Sequence, residues 1–140
     1  MSNILVVDDD PDIRLLLRYE LSPHGHQVSE AGDGEQALAA LESEPLDLVL
    51  LDMMMPVLDG WEVLRRMDTD HAPPVVVITA LASEGARHVG ELLELGALDV
   101  IAKPFDPDWL VRLIDAVLLV DHDERDEYRR RRLRHVRQEG

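Results

Sequence analysis

Residues 46–60 read LDLVLLDMMMPVLDG. Leu48 to Leu51 is an unbroken apolar run, as a strand covered on both faces requires, and it stops on a single aspartate, Asp52. Pro56 and Gly60 then end regular structure within a few residues. A carboxylate is thus held at the tip of a buried strand. It is either a place where the strand happens to meet solvent or a working group displayed by the sheet, and the rest of the chain decides between them.

Four further apolar runs lie outward from this one, at Ile4 to Val7, Gln27 to Val28 with its neighbours, Val75 to Ile78, and Leu98 to Ala102. Amphipathic stretches separate them. Ile13, Leu16, Leu17 and Leu21 share one helical face before the breaker Ser22-Pro23-His24-Gly25, and Gly34 to Leu41 repeats the pattern with Ala37, Leu38 and Leu41. A short helix runs through Val63, Leu64 and Met67 and is closed by Pro73-Pro74. Ser83 can cap a fourth helix that reaches Leu95 and stops at Gly96. Asp106 or Asp108 can start a fifth, with Trp109, Leu110, Leu113, Ile114, Val117 and Leu118 facing inward. Five βα units within 120 residues predict an α/β fold, a doubly wound five-stranded parallel sheet. The order 2-1-3-4-5, flavodoxin-like, is one of the two common arrangements of such a sheet.

The chain has 140 residues, 46% of them hydrophobic, which suits one globular domain, here placed at residues 1–120. Residues 121–140, DHDERDEYRRRRLRHVRQEG, are charged throughout and read as a solvated helix extension or a linker. Seven of the 14 basic residues fall in that segment, so residues 1–120 carry seven basic groups against 23 acidic ones. A body this negative repels nucleic acid backbone and anionic membrane surfaces and favours cations. Arg129 to Arg132 read as part of a solvated helix. With no cysteine, the chain has no disulfide, thiolate metal site or cysteine nucleophile. The N-terminus MSNILVVDDD lacks a basic signal-peptide start, and no apolar run nears the ~20 residues of a membrane span, so a cytoplasmic protein is expected. The six histidines show no metal-ligand pairing beyond a loose His24 and His26, where turn chemistry is the simpler reading.

A doubly wound sheet places its ligand at the carboxyl ends of the strands, beside the switch in strand order. The first strand ends in Asp8, Asp9 and Asp10 and the third in Asp52, so at least three carboxylates meet on one edge. Like charges that close raise one another's pKa, and a hard divalent cation removes the conflict. Magnesium, which takes one or two carboxylates plus other oxygens, suits such an open site better than calcium. Asp10 before Pro11 reads instead as a helix cap. The fourth strand brings Thr79 to the same edge. The fifth brings Lys103, the only lysine in the chain, a compact charge suited to a single phosphoryl or carboxylate oxygen.

With these residues in place the sequence resembles the receiver domain of two-component response regulators. The matching motifs are ILVVDDDPDIR at 4–14, LDLVLLDMMMPVLDGWEVL at 46–64, VVVITA at 75–80 and GALDVIAKPF at 96–105, in order along residues 3 to about 120. The resemblance implies that Asp52 is the phosphoacceptor and that Asp8, Asp9, Asp52 and the backbone carbonyl of Met54 hold Mg²⁺. It implies that Thr79 and Lys103 bind phosphoryl oxygens and that the Lys103–Pro104 bond is cis. The donor would be a sensor histidine kinase or phosphotransfer protein. The output would pass to a downstream domain or protein through the face of the fourth helix, fifth strand and fifth helix, which can also serve a homodimer. Such a protein signals by population shift and is not an enzyme of turnover, with no direct nucleic acid binding by this domain and no membrane association.

Two features depart from the commonest pattern of that family. Val100 stands where many receivers carry Tyr or Phe, which removes the usual aromatic switch. Met54 and Leu81 are apolar at positions that tune dephosphorylation, so a slowly decaying phosphoprotein is expected. Two other readings stand beside this one. A haloacid-dehalogenase-type hydrolase would use Asp8 and Asp10 and draft Asp106 and Asp108 as metal ligands, leaving Asp52 idle. A degenerate receiver would bind partners and never take phosphate. Both a stand-alone receiver and the front of a longer regulator fit the sequence.

Overall fold

The computed structural model of the chain describes residues 2–67, 72–80 and 86–139, with the side chains of 86 and 137–139 left out. Strand β1 spans Asn3–Val7, β2 Gln27–Ala31, β3 Leu48–Leu51, β4 Val75–Thr79 and β5 Asp99–Ala102. All pair in parallel in the order β2-β1-β3-β4-β5, the expected flavodoxin-like topology. Helices α1 (Pro11–Leu21), α2 (Gly34–Ser43), α3 (Gly60–Arg66), α4 (Ala86–Leu95) and α5 (Pro107–Leu118) alternate with the strands, and α6 (Arg125–Glu139) comes after them. The expected strands and helices agree with these limits to within a few residues. The expected cap at Ser83 and the apolar position Leu81 lie outside the described residues.

Period-two alternation along the strands sends side chains to both faces, and each face is covered by helices. Leu5, Val7, Val49, Leu51, Val75 and Val77 face one core, closed by side chains of α2, α3 and α4. Ile4, Val6, Leu48, Leu50, Val76 and Ile78 face the other, closed by α1 and α5. A fully buried side chain of this kind contributes about 1.5–3 kcal/mol, which makes the central strands the most firmly held part of the molecule.

Among the described residues, four aspartates cap α-helices. Asp10, Asp33, Asp59 and Asp106 accept backbone N–H groups at the starts of α1, α2, α3 and α5, at 2.9, 2.9, 3.0 and 3.0 Å. Each such cap is worth ~1 kcal/mol. Part of the acidic excess is therefore structural, including Asp10, as its place before Pro11 suggests.

Residues 125–139 form a helix with one face docked on the domain. Val136 is buried and packs with Leu133 into the α4 side of the core. Tyr128 packs against the α5 side. The rest of α6 presents arginines to solvent, Arg130, Arg131 and Arg134 gathering around Glu127. Among the described residues no helix is long and apolar enough to cross a membrane.

Candidate functional site

Strand register levels the site residues on one edge. Val7 pairs with Leu51, Leu51 with Val77, and Thr79 with Ala102, so the residues just past β1, β3 and β5 emerge together beside the end of β4. The backbone ladder continues one step past the strands. Asp8 N–H donates to Ala31 O at 3.1 Å, Asp52 N–H to Val7 O at 2.9 Å and Lys103 N–H to Thr79 O at 3.1 Å. Each side chain therefore leaves a backbone that is already fixed.

Asp8, Asp9 and Asp52 each offer a carboxylate oxygen to a group whose donor atoms lie within 4.8 Å of one another. Asp8 and Asp52 are buried, and Asp9 is exposed at the mouth. Asp8 accepts the Asp10 N–H on Oδ1 at 2.9 Å and the Lys103 ammonium on Oδ2 at 2.7 Å. Asp52 repeats the plan less tightly, with the Met54 N–H 3.4 Å from Oδ1 and Lys103 Nζ 3.5 Å from Oδ2. Each buried carboxylate spends one oxygen on the backbone and turns the other toward Lys103.

Burial, and then the neighbouring Asp8, push the Asp52 carboxyl above its ordinary value, with Lys103 opposing them. Burial alone would lower Lys103, but its hydrogen bond to Asp8 and the charges of both aspartates outweigh that and hold the ammonium above its usual value. Two buried carboxylates against one half-buried ammonium leave the pocket short of positive charge. Three clustered carboxylates, hard oxygen donors, fit a metal cation.

Thr79 is fully buried at the end of β4, and the Lys103–Pro104 bond is cis as the resemblance implies. Met54 lies in the first turn after β3 with its side chain exposed. Asp106 caps α5, and neither it nor Asp108 joins the acidic group. Arg14 escaped the sequence reading. Its guanidinium donates to the Asp8 carbonyl at 2.6 Å and pairs with Glu30 at 3.2 Å, tying the end of β1 to α1 and β2. The signal was an arginine one helical turn after the Asp10 cap, which places it back over the strand end it serves.

The family model that describes the response regulator receiver domain matches residues 4–115. The chain belongs to the response regulator receiver family. This receiver is similar to the transcriptional regulatory protein CpxR of Klebsiella pneumoniae, with 45% identity over 122 residues, covering 87% of this chain and 51% of that protein. It is also similar to the probable transcriptional regulator ycf27 of Porphyridium aerugineum, at 44% identity over 115 residues, 82% of this chain and 47% of that one. The receiver thus spans about half the length of the curated relatives it matches. Among solved structures, the receiver domain of Francisella response regulator 1452 superposes with a TM-score of 0.79 at 28% identity, covering 84% of this chain and 97% of that one. The chain is a receiver of a two-component system, and its acidic pocket fits a phosphoacceptor site.

Proposed function

We propose that this receiver takes a phosphoryl group onto Asp52 from a phosphohistidine of a sensor histidine kinase or phosphotransfer protein. The observation that carries the reading is the convergence of Asp8, Asp9 and Asp52 around the lone Lys103. Asp8, Asp9 and Asp52, with the backbone carbonyl of Met54, would hold Mg²⁺, which supplies the positive charge that the two buried carboxylates lack and that the transferred oxygens need. Asp52 Oδ attacks phosphorus in line, the bond to the donor nitrogen breaks, and the imidazole keeps the electron pair. Lys103 pairs with one phosphoryl oxygen, and the Thr79 hydroxyl binds another once the group is in place. The product is an acyl phosphate that water later removes, so the protein signals through a modified state and does not turn over an external substrate.

The added charge and acceptor oxygens draw Thr79 inward at the end of β4, reshaping the α4-β5-α5 face where an output domain or partner reads the state. With Val100 at the usual aromatic position, that readout runs through backbone and helix movement. Incubation with Mg²⁺ and acetyl phosphate should raise the intact mass by one phosphoryl group in the wild type and leave Asp52→Asn unchanged. No gain in either protein would leave a receiver that only binds partners, and steady release of phosphate from varied monoesters would favour a hydrolase.

A further inference from the structure

Asp99 opens β5, the edge strand of the sheet, and its carboxylate is buried. Two of its partners come from α6. Tyr128 Oη donates to Oδ2 at 2.6 Å and Arg132 Nε to Oδ1 at 2.8 Å, with the Val100 N–H also on Oδ1 at 2.8 Å. Arg129 donates to the carbonyls of Gly96 and Ala97, just past the end of α4, at 3.2 and 3.3 Å. Eight residues after Tyr128, Val136 packs on Gly90, where an added Cβ would stand 4.0 Å from Val136 Cγ1. α6 therefore runs antiparallel to α4, and Tyr128, Arg132 and Val136 form one stripe at four-residue spacing. The helix packs over α4 and meets the edge strand at Asp99, the first residue of β5. Beside it a groove of about 390 Å³, lined by Val89, Val100, Ile101, Phe105, Trp109 and Arg132, continues the same face.

The hold on α6 is specific but shallow. Tyr128, Leu133 and Val136 supply its apolar contact, and a 15-residue helix is marginal in water without tertiary support. The remaining attachments are polar: Tyr128 and Arg132 on Asp99 at the sheet edge, Arg129 on the carbonyls past α4, and Arg125 Nη1 on the Ala72 carbonyl ahead of β4 at 3.3 Å. Asp99 lies at the rim, so departure of α6 would hand it to water instead of stranding a charge in the core. The two anchor points also sit on different elements. Asp99 is on β5, which is laddered to β4, whereas Gly90 is on α4, which lies between β4 and β5 in the chain. Close-packed contacts do not deform continuously, so a shift of α4 relative to β5 cannot keep both anchors seated.

We propose that the α4–β5 edge is a helix-docking surface with Asp99 as its anionic anchor, occupied by α6 of the same chain at rest, and that phosphorylation of Asp52 releases α6. The inference rests on the phosphoacceptor reading of Asp52. The partner this surface fits is a helix bearing an aromatic hydroxyl, an arginine and a small aliphatic residue at four-residue intervals, the stripe that α6 itself carries.

Hydrogen exchange of the full chain, read on the α6 amides by mass spectrometry, tests it. Acetyl phosphate with Mg²⁺ should speed α6 exchange about tenfold in the wild type, a modest coupling between two sites, and leave Asp52→Asn unaffected. The double variant Tyr128→Phe, Arg132→Gln should show fast α6 exchange without donor while still gaining one phosphoryl group in mass. A wild type that gains the phosphoryl mass with α6 exchange unchanged overturns the inference and leaves the phosphoacceptor reading intact. Slow α6 exchange in the double variant overturns the role of Asp99. No mass gain in the wild type overturns both readings together.

Discussion

Lys103 stands closer to Asp8 than to Asp52, with Nζ 2.7 Å from Asp8 Oδ2 and 3.5 Å from Asp52 Oδ2. The ammonium is therefore hydrogen-bonded to a proposed metal ligand and only near the proposed nucleophile. A cation and Lys103 would draw on the same Asp8 carboxylate, so part of the attraction between Lys103 and Asp8 must be given up when a metal enters.

Lys103→Met should consequently change two properties in opposite directions. Mg²⁺ should bind about 3–10-fold more tightly, because Asp8 is freed and one repelling charge at a few ångström separation is gone. Phosphorylation of Asp52 by acetyl phosphate should slow, because no ammonium remains to pair with a transferred oxygen. The metal-free variant should also lose about 1–3 kcal/mol of stability, less than for a fully buried pair because Lys103 is partly exposed. Metal titration, intact-mass kinetics and denaturant unfolding read the three effects. Weaker Mg²⁺ binding in the variant would contradict the competition.

The raised pKa of Asp52 has a defined sign for stability. Burial and Asp8 make the folded protein hold the Asp52 proton more readily than the unfolded chain does. Ionised Asp52 thus destabilises the metal-free fold at neutral pH, and the penalty fades as pH falls through the raised folded value, vanishing below the ordinary carboxylate range. Without Mg²⁺, Asp52→Asn should melt a few degrees higher than the wild type at pH 7, with the gap closing as pH falls toward 4. Adding Mg²⁺ at pH 7 should raise the wild type more than the variant, since the ion binds a folded site that has lost one carboxylate in Asp52→Asn.

Val57, five residues after Asp52, has φ 70° and is exposed. A β-branched residue in the left-handed region is strained, and nothing about an exposed side chain compensates. Val57→Asn should therefore stabilise the protein by about 1 kcal/mol, roughly 3 °C in Tm for a domain of this size, because Asn tolerates that region. Val57→Gly should gain somewhat less, the unfolded chain recovering entropy of its own. A thermal melt with no gain for either would show that the loop is held in this conformation at no cost.

Sheet order and site were legible because both depend on residue types that physics restricts tightly. Strands covered on both faces must be continuous Val, Ile and Leu, and strand-end acids beside a lone lysine leave little other use for them. The role of α6 was not legible, since its composition is that of a solvated helix. Its main side-chain anchor is one buried carboxylate, Asp99, whose α6 partners lie 29 and 33 residues away. A polar pairing at that separation leaves no period in the sequence. Arg14 was missed for a related reason, because its main partner is a backbone carbonyl, and any residue type offers one.

Two glycines give the same substitution opposite consequences. At Gly60 an added Cβ would lie 2.6 Å from the Asp52 carbonyl oxygen and 2.7 Å from Met53 Cα, both backbone atoms, so the turn after β3 must move. Gly60 N–H also bonds to Met53 O at 3.1 Å, closing that turn onto the first residue of α3. Gly60→Ala should cost about 1–3 kcal/mol, as overpacking of a tight site does. It should also slow phosphorylation of Asp52 beyond what the fraction unfolded explains, because the displaced backbone carries Asp52 itself. At Gly90, inside α4, the nearest atom to an added Cβ is Val136 Cγ1 at 4.0 Å, an ordinary van der Waals contact. Gly90→Ala should stabilise the fold by about 0.5–1 kcal/mol through helix propensity, leave the initial phosphorylation rate unchanged, and slow hydrogen exchange in α6 by adding a methyl beneath Val136. Denaturant unfolding of the two variants side by side, with intact-mass kinetics on each, separates them. Destabilisation by both would mean that α4 and α6 are packed too tightly for α6 to serve as a releasable cover.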